Sequence, residues 1–142
     1  MTVAPGEDVQ AAVDACPPGG SVLLLPGAHE GPLVLGPREV ANGEGPPVQV
    51  GDKEVHVFGC GQATLRTSGK NVKDVLTSSA EVATVDGLVL RREASGGGGN
   101  HAAVCINGGR LRLQACFVVK STFDGVRIEG GAGTNPVLAS CK

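Results

Sequence analysis

Carboxylates are the side chains of this sequence that could carry acid–base or metal chemistry, but their spacing does not bring them together. The repetitive part of the chain holds Asp52, Glu54, Asp74, Glu81, Asp86, Glu93, Asp124 and Glu129. Glycoside hydrolases need two carboxylates roughly 5 to 9.5 Å apart, and calcium-dependent lyases need several around one cation, with a base nearby. The sequence has no Asp-Asp pair and no Asn-x-Asp motif, and Asp86-Gly87 and Asp124-Gly125 are typical of turns. We therefore expect no catalytic residue among them.

The three histidines, His29, His56 and His101, lack the HxH and HExxH spacings that often bind zinc. His56 lies between two valines of a predicted strand, so it should face outward, because side chains alternate between the two faces of a strand. His29 lies in a predicted turn, and His101 follows a glycine-rich segment. We predict three solvated surface histidines, no metal site and no cofactor.

Basic residues follow the apolar strand segments of three successive repeats. They are Arg66, Arg91, Arg92 and Lys120. Such residues could form a basic ladder on one face of the molecule, able to bind uronates, sulfates or an acidic peptide. The alternative is a set of solvated charges that keeps exposed strands from pairing at random.

The five cysteines are odd in number and form no CxxC pair, which favours reduced thiols over disulfides or a zinc site. Cys60, Cys116 and Cys141 end three of the repeats, so we expect them to stack as inward apolar side chains. Cys105 alternates with two apolar neighbours and should face outward. It is the predicted reactive thiol.

The chain repeats itself from Val48 onward, and this repeat is the main indication of its fold. Residues 48–60 and 104–116 carry apolar side chains at the same first, third, eighth, tenth and last places. Residues 126–141 form a third copy and residues 75–88 a less regular fourth. The copies end at Cys60, Leu88, Cys116 and Cys141, which stand 28, 28 and 25 residues apart. Units of this length, built from short period-2 strands and Gly/Asn turns, are typical of a β-solenoid.

Composition agrees with a thin, regular interior. The sequence has 23 glycines and 3 phenylalanines but no tyrosine or tryptophan, so aliphatic side chains and thiols must fill the core. We predict an all-β, right-handed parallel β-helix of about four to five coils over residues 21–142. Apolar residues at helical spacing predict a short N-terminal capping helix at about residues 7–16, with Glu7 and Asp8 in its first turn. Residues 1–142 would then form a single domain. The alternative is an antiparallel sandwich.

The opening of the chain, residues 9–27, resembles the entry to pectin-lyase-like β-helices. In that superfamily a helix caps the first coil, and the next strand ends in a Pro-Gly turn that is usually followed by Tyr-Glu. His29-Glu30 stands in that place here. Residues 124–128 and 135–142 resemble the β-helix repeats of carbohydrate-binding and sugar-hydrolase domains, which also occur in F-box-only and periplasmic copper-pathway proteins. The resemblance implies a fold but little about function, because the matching residues are those that build coils.

The predicted function is a non-catalytic β-helix binding scaffold for protein or glycan. The alternatives are a fragment of a polysaccharide lyase, hydrolase or uronate epimerase, and a self-associating structural solenoid. The net charge of −2 favours no nucleic-acid or membrane partner, and the lack of a signal peptide predicts a cytoplasmic location. The chain is expected to stop in mid-repeat at Lys142. Either the domain is incomplete at its C-terminus, or the open C-terminal coil forms end-to-end homo-oligomers.

Overall fold

Short strands and one helix make up the regular structure of this chain. A computed structural model describes residues 1–41, 43–69, 73–94, 102–119, 125–130 and 133–142. In chain order its elements are β1 (Thr2–Val3), α1 (Val9–Ala15), β2 (Gly20–Leu24), β3 (Gly27–Glu30), β4 (Leu33–Leu35), β5 (Arg38–Val40), β6 (Val48–Val50), β7 (Val55–Gly59), β8 (Ala63–Gly69), β9 (Leu76–Ser78), β10 (Val82–Asp86), β11 (Val89–Ala94), β12 (Val104–Ile106), β13 (Arg110–Gln114), β14 (Phe117–Val119), β15 (Val126–Ile128) and β16 (Val137–Ala139). No helix among these residues is long and apolar enough to cross a bilayer.

Three parallel sheets hold nearly all of the strands. Sheet A has the order β1-β2-β7-β10-β13-β16, sheet B the order β14-β11-β8-β3, and sheet C the order β15-β12-β9-β4. The chain passes through the sheets in the order A, B, C, and it does so four times before it enters sheet A again with β16. We call each passage a cycle. The all-β prediction is confirmed, and the antiparallel sandwich is wrong because neighbouring strands within these sheets run parallel.

Equivalent residues of successive cycles lie side by side. In sheet A the register aligns one inward column, which consists of Val22, Val57, Val85, Leu113 and Leu138. The first four are fully buried. Inward side chains of all three sheets join one core cluster, which also includes buried residues of the helix. Stacking of aliphatic side chains therefore removes apolar area from water, worth about 25 cal/mol per Å².

The N-terminal helix is present but shorter than predicted. It spans Val9–Ala15 and buries Val9 and Val13 against the core. Asp8 is extended, and its side chain accepts a hydrogen bond from the Ala11 amide at 3.0 Å, so it caps the helix from outside. The expectation that Glu7 and Asp8 lie within the first turn is therefore wrong, because both residues precede the helix.

N-terminal residues cover the first edge of each sheet. In sheet A, β1 pairs with β2. In sheet B, Pro5 lies against Gly27: a Cβ atom added to Gly27 would be 2.6 Å from the Cγ atom of Pro5. In sheet C, the Gln10 amide donates to the Val34 carbonyl at 3.1 Å and accepts from the Val34 amide at 2.8 Å. The Gln10 side chain thus pairs with β4 as a further strand would.

The opposite edges of the sheets carry exposed apolar residues. Leu138 and Ile128 occupy inward places in β16 and β15, yet they are 43% and 53% exposed. Their counterparts one cycle earlier, Leu113 and Ile106, are fully buried. Phe117 of β14 is also exposed.

The register corrects the predicted start of the regular repeat. Residues 48–50 were expected to match Val104–Ile106, but they form β6, which pairs antiparallel with β5 in a separate hairpin. The place equivalent to β12 in the first cycle belongs to β4. The alignments of residues 75–88, 104–116 and 126–141 with one another are confirmed, since β9 pairs with β12, β10 with β13, β12 with β15, and β13 with β16.

Two of the three stacked cysteines are equivalent. The Cys116 thiol lies 3.6 Å from the Val85 carbonyl and the Cys141 thiol 3.3 Å from the Leu113 carbonyl. Val85 and Leu113 are register partners, so each thiol contacts the matching residue of the cycle before it. The prediction of an inward cysteine column is confirmed for this pair.

Cys60 departs from that column. It is exposed, because the second cycle has three more residues at its A-to-B corner than the third cycle. Pairing of Thr64 with Val89 puts the preceding residue, Ala63, beside Leu88, and both are buried. Ala63 therefore fills the inward place predicted for Cys60.

Candidate functional site

The predicted basic ladder lies in part on the outer face of sheet B. Glu30, Arg66 and Arg91 are aligned across β3, β8 and β11. Each arginine has an acidic partner: Arg66 Nε lies 2.9 Å from Glu30 Oε1, and Arg91 Nη1 lies 3.6 Å from a carboxylate oxygen of Glu93. These carboxylates offset the positive charge that an anionic ligand would need.

Arg92 does not belong to that face. It is the register partner of Thr67, both side chains lie on the inward side of sheet B, and Arg92 is only 1% exposed. Since side chains alternate along a strand, adjacent residues such as Arg91 and Arg92 cannot both face outward. The expectation that Arg92 joins an exposed ladder is therefore wrong. Lys120 lies outside the described residues, as do His101 and Asp124.

His29 is buried rather than solvated, so the surface assignment is wrong. It lies in β3 and forms an inward column with Leu65, Leu90 and Val118. Its Nε2 atom is 2.7 Å from the Leu25 carbonyl, and its Nδ1 atom has no hydrogen-bond partner within the described part of the chain. The ring thus takes the place of an aliphatic side chain in the first cycle. His56 faces outward as predicted, with 23% of its side chain exposed.

Cys105 faces the outer side of sheet C but is only 6% exposed. It is aligned with Thr77 and Arg127 across β9, β12 and β15. Burial raises the pKa of the Cys105 thiol, and the negative charges of Asp74 and Glu129 raise it further. The predicted reactive thiol is therefore protected and protonated at neutral pH.

The outer face of sheet A presents two parallel rows of polar and aromatic side chains. Register pairing aligns one residue from each of β7, β10 and β13 in each row. Successive members of a row lie on neighbouring strands, which are about 4.8 Å apart. We call this surface the sheet A face: His56, Thr84 and Arg112 in one row, and Phe58, Asp86 and Gln114 in the other.

Contacts within the sheet A face orient some of its groups. The rings of His56 and Phe58 stack with centroids 6.5 Å apart and planes at 28°. The Glu54 carboxylate lies 2.9 Å from His56 Nε2. At the other end, Arg112 Nε donates to the Gln114 side-chain oxygen at 2.7 Å. The face therefore has an aromatic end and a hydrogen-bonding end.

Free hydrogen-bonding capacity remains between those two ends. Among the described residues, Asp86 and Thr84 have no side-chain hydrogen-bond partner, and the Gln114 amide nitrogen makes no bond. Asp86 is not paired with any cation of the described chain either. These groups can therefore donate to or accept from a ligand without breaking an internal bond.

An open depression adjoins the face where its strands begin. Asp52, Lys53, Glu54, Glu81 and Val82 line it. The Asp52 carboxylate accepts a hydrogen bond from the Glu81 amide at 3.1 Å. Lys53 points away to the end of the helix, where its ammonium donates to the Cys16 carbonyl at 2.5 Å. Arg110, at the start of β13, lies 4.0 Å from a carboxylate oxygen of Glu81 and offsets its charge. The rim of the sheet A face therefore keeps a negative charge from Asp52 and Glu54.

Comparison with known proteins found no match among protein-family models, curated proteins or solved structures. Within the part of the chain that the structure describes, no three His, Cys, Asp or Glu residues are grouped so that they could hold a metal ion.

Sequence reasoning did not single out the sheet A face, although the signal was present. The three strands read Val55-His-Val-Phe, Ala83-Thr-Val-Asp and Leu111-Arg-Leu-Gln, with outward residues at every second place. Alignment of the repeats by their inward residues would have placed the outward ones in two rows. The sequence-based prediction considered only the positions of basic residues, and it therefore pointed to the arginines of sheet B.

Proposed function

We propose that the three sheets wind as a right-handed parallel β-helix and that this β-helix is a non-catalytic binding scaffold for protein or glycan. The repeated A, B, C order of the strands supports the winding, as does the parallel register from β2 to β16. The resemblance of residues 9–27 and 135–142 to pectin-lyase-like β-helices favours the same architecture. Right-handed crossovers are the rule for parallel strands of one sheet.

The sheet A face is the observation that carries the binding proposal. It is a regular surface whose groups are fixed by stacked strands, so little conformational entropy is lost when a ligand binds. An aromatic surface and open hydrogen-bonding groups together give affinity and orientation. Sheet B is less suitable because its arginines are already paired.

The test combines two screens with one variant. The protein is applied to a printed glycan panel and to a phage-displayed random peptide library, beside Phe58→Ala/Asp86→Ala/Gln114→Ala. We expect a ligand from one screen that the wild type binds and the triple variant does not. Arg91→Ala, on the outer face of sheet B, is the control and should bind as the wild type does.

Two kinds of result would contradict the binding proposal, and one would contradict the architecture. One is that every ligand found binds the wild type and the triple variant equally, or that the screens yield no ligand. Either outcome would show that the sheet A face is not a binding surface. The other is cleavage or epimerisation of a bound glycan, seen by mass spectrometry of the recovered saccharide, which would favour an enzyme. A crystal structure with left-handed winding would overturn the architecture.

A second candidate is a self-associating solenoid, and the exposed apolar residues of β14, β15 and β16 favour it. N-terminal residues lie over the first-cycle strands of all three sheets, so a head-to-tail stack would meet β1, Pro5 and the Gln10 side chain rather than those strands. A second copy of the chain can instead place its own open end against this one. Such a contact is isologous and closes as a two-fold dimer, with antiparallel pairing of the two β16 strands.

A further inference from the structure

We infer that the sheet A face binds an uncharged glycan chain that runs across the strands, parallel to the two rows. This inference rests on the proposed function and names the class of ligand for that face. The rows cross β7, β10 and β13 in register, so their groups recur at about 4.8 Å. That period is close to the length of one pyranose unit, so consecutive sugars can meet equivalent places on consecutive strands.

The chemistry of the rows matches the two surfaces of a sugar. The partly exposed ring of Phe58, which stacks with His56, supplies apolar surface for the C–H side of a pyranose ring. Asp86 can accept hydrogen bonds from hydroxyl groups, and the Gln114 amide nitrogen can donate to them. Because Arg112 already holds the Gln114 oxygen, that amide has a fixed orientation. One end of the face therefore suits stacking, and the rest suits hydroxyl recognition.

Charge on and around the face selects against acidic sugars. Asp86 and Arg112 balance each other within the face. Asp52, Glu54 and Glu81 lie along its rim. Arg110 is paired with Glu81, and the ammonium group of Lys53 is turned to the helix, which leaves the carboxylates of Asp52 and Glu54 in excess. A uronate or sulfated chain would meet these carboxylates, which would disfavour it by like-charge repulsion. A neutral chain meets no such penalty.

Calorimetry with defined hexasaccharides tests the inference. The neutral probes are cellohexaose, xylohexaose and maltohexaose, and the acidic probe is hexagalacturonate. We expect at least one neutral probe to bind and the acidic probe not to bind. Phe58→Ala, Asp86→Asn and Gln114→Ala should each weaken binding about tenfold, as the loss of one buried contact would.

Thr64→Ala, on the outer face of sheet B, is the matched control and should leave the dissociation constant within about twofold. Circular dichroism and thermal unfolding of every variant show whether it keeps the fold. If Phe58→Ala unfolds, Asp86→Asn and Gln114→Ala still decide the outcome, because both side chains are partly exposed.

The outcomes separate this inference from the proposed function. If no neutral hexasaccharide binds at millimolar concentration, or if only hexagalacturonate does, the inference is overturned. A peptide ligand that depends on the sheet A face would overturn it too, while it would support the binding scaffold. If neither peptide nor glycan binding depends on the face, both proposals fail.

Discussion

At the residue scale, corner residues set how closely successive cycles approach. Gly109 has a φ of +69°, and a Cβ there would lie 1.8 Å from the Ala80 carbonyl oxygen. A Cβ added to the neighbouring Gly108 would have its nearest contact, with Ser79, at 3.7 Å. The A-to-B corner also uses left-handed backbone: Gly87, Ala115 and Ser140 have φ of 72°, 51° and 53°. Tight stacking therefore depends on a few particular backbone positions.

We predict that Gly109→Ala lowers the free energy of unfolding by about 2–4 kcal/mol, because strained backbone and a clash with backbone add together. Gly108→Ala is the matched control and should cost under about 1 kcal/mol. Urea unfolding followed by circular dichroism measures both. Equal effects of the two substitutions would show that the close approach of Gly109 to Ala80 is absent.

Thiol reactivity gives a second prediction at this scale. Cys60 is exposed, whereas Cys105 and Cys116 are buried and burial raises the pKa of both thiols. Only the thiolate reacts, so at pH 7.5 a maleimide should modify Cys60 quickly and the other two slowly. The rates at Cys105 and Cys116 should rise with pH as their thiols ionise.

Peptide mass spectrometry of timed samples assigns the modified residues, and labelling in urea provides the unfolded reference. Rapid modification of Cys116 in the folded protein would contradict its place in the core. Rapid modification of Cys105 would instead restore the sequence-based expectation of an accessible thiol.

At the scale of elements, the helix is bound to the first strand of sheet C by a side chain. Gln10 makes two hydrogen bonds to the backbone of Val34, and Asp14 on the next turn pairs with Arg38. Val9 and Val13 point from the same helix into the core. The helix therefore closes the core and also satisfies an edge strand, which would otherwise present unpaired groups.

We predict that Gln10→Ala lowers the free energy of unfolding by about 1–3 kcal/mol, because it removes two hydrogen bonds from a partly buried edge. Amide exchange at Val34 should become faster. Gln49→Ala is the control, since Gln49 lies exposed in β6 of the hairpin. If Gln10→Ala and Gln49→Ala are equally harmless, Gln10 does not pair with β4 in solution.

At the scale of the whole molecule, one end is covered and the other exposes apolar side chains. The exposed set is Phe117, Ile128, Val137 and Leu138. Exposed strand edges of this kind pair readily with other chains. Association through them would cover Ile128 and Leu138, the two inward members of this set, whose counterparts in earlier cycles are buried within the molecule.

We predict that sedimentation velocity shows a dimer whose population rises with concentration. Leu138→Lys and Ile128→Lys should each shift the equilibrium to monomer, because a lysine cannot enter an apolar contact without a partner. Val40→Lys, on the exposed hairpin, is the control and should still dimerise. A wild type that remains monomeric into the millimolar range would contradict the second candidate function.

Local pattern alone was enough to predict several elements. Alternating apolar residues in 75–88, 104–116 and 126–141 predicted the strands and their equivalence, because the inward face of each strand must be apolar whatever its neighbours are. The helix followed from Val9 and Val13 in the same way. These features depend on residues a few places apart in the chain.

Pairing across cycles decided the rest, because the length of each corner sets which residues align. Three extra residues at one corner move Cys60 outward and Ala63 inward. His29 is buried because its strand aligns it with Leu65, and residues 48–50 leave the parallel sheets because their nearest partner is β5. Such differences follow from contacts between distant parts of the chain, which no local pattern contains.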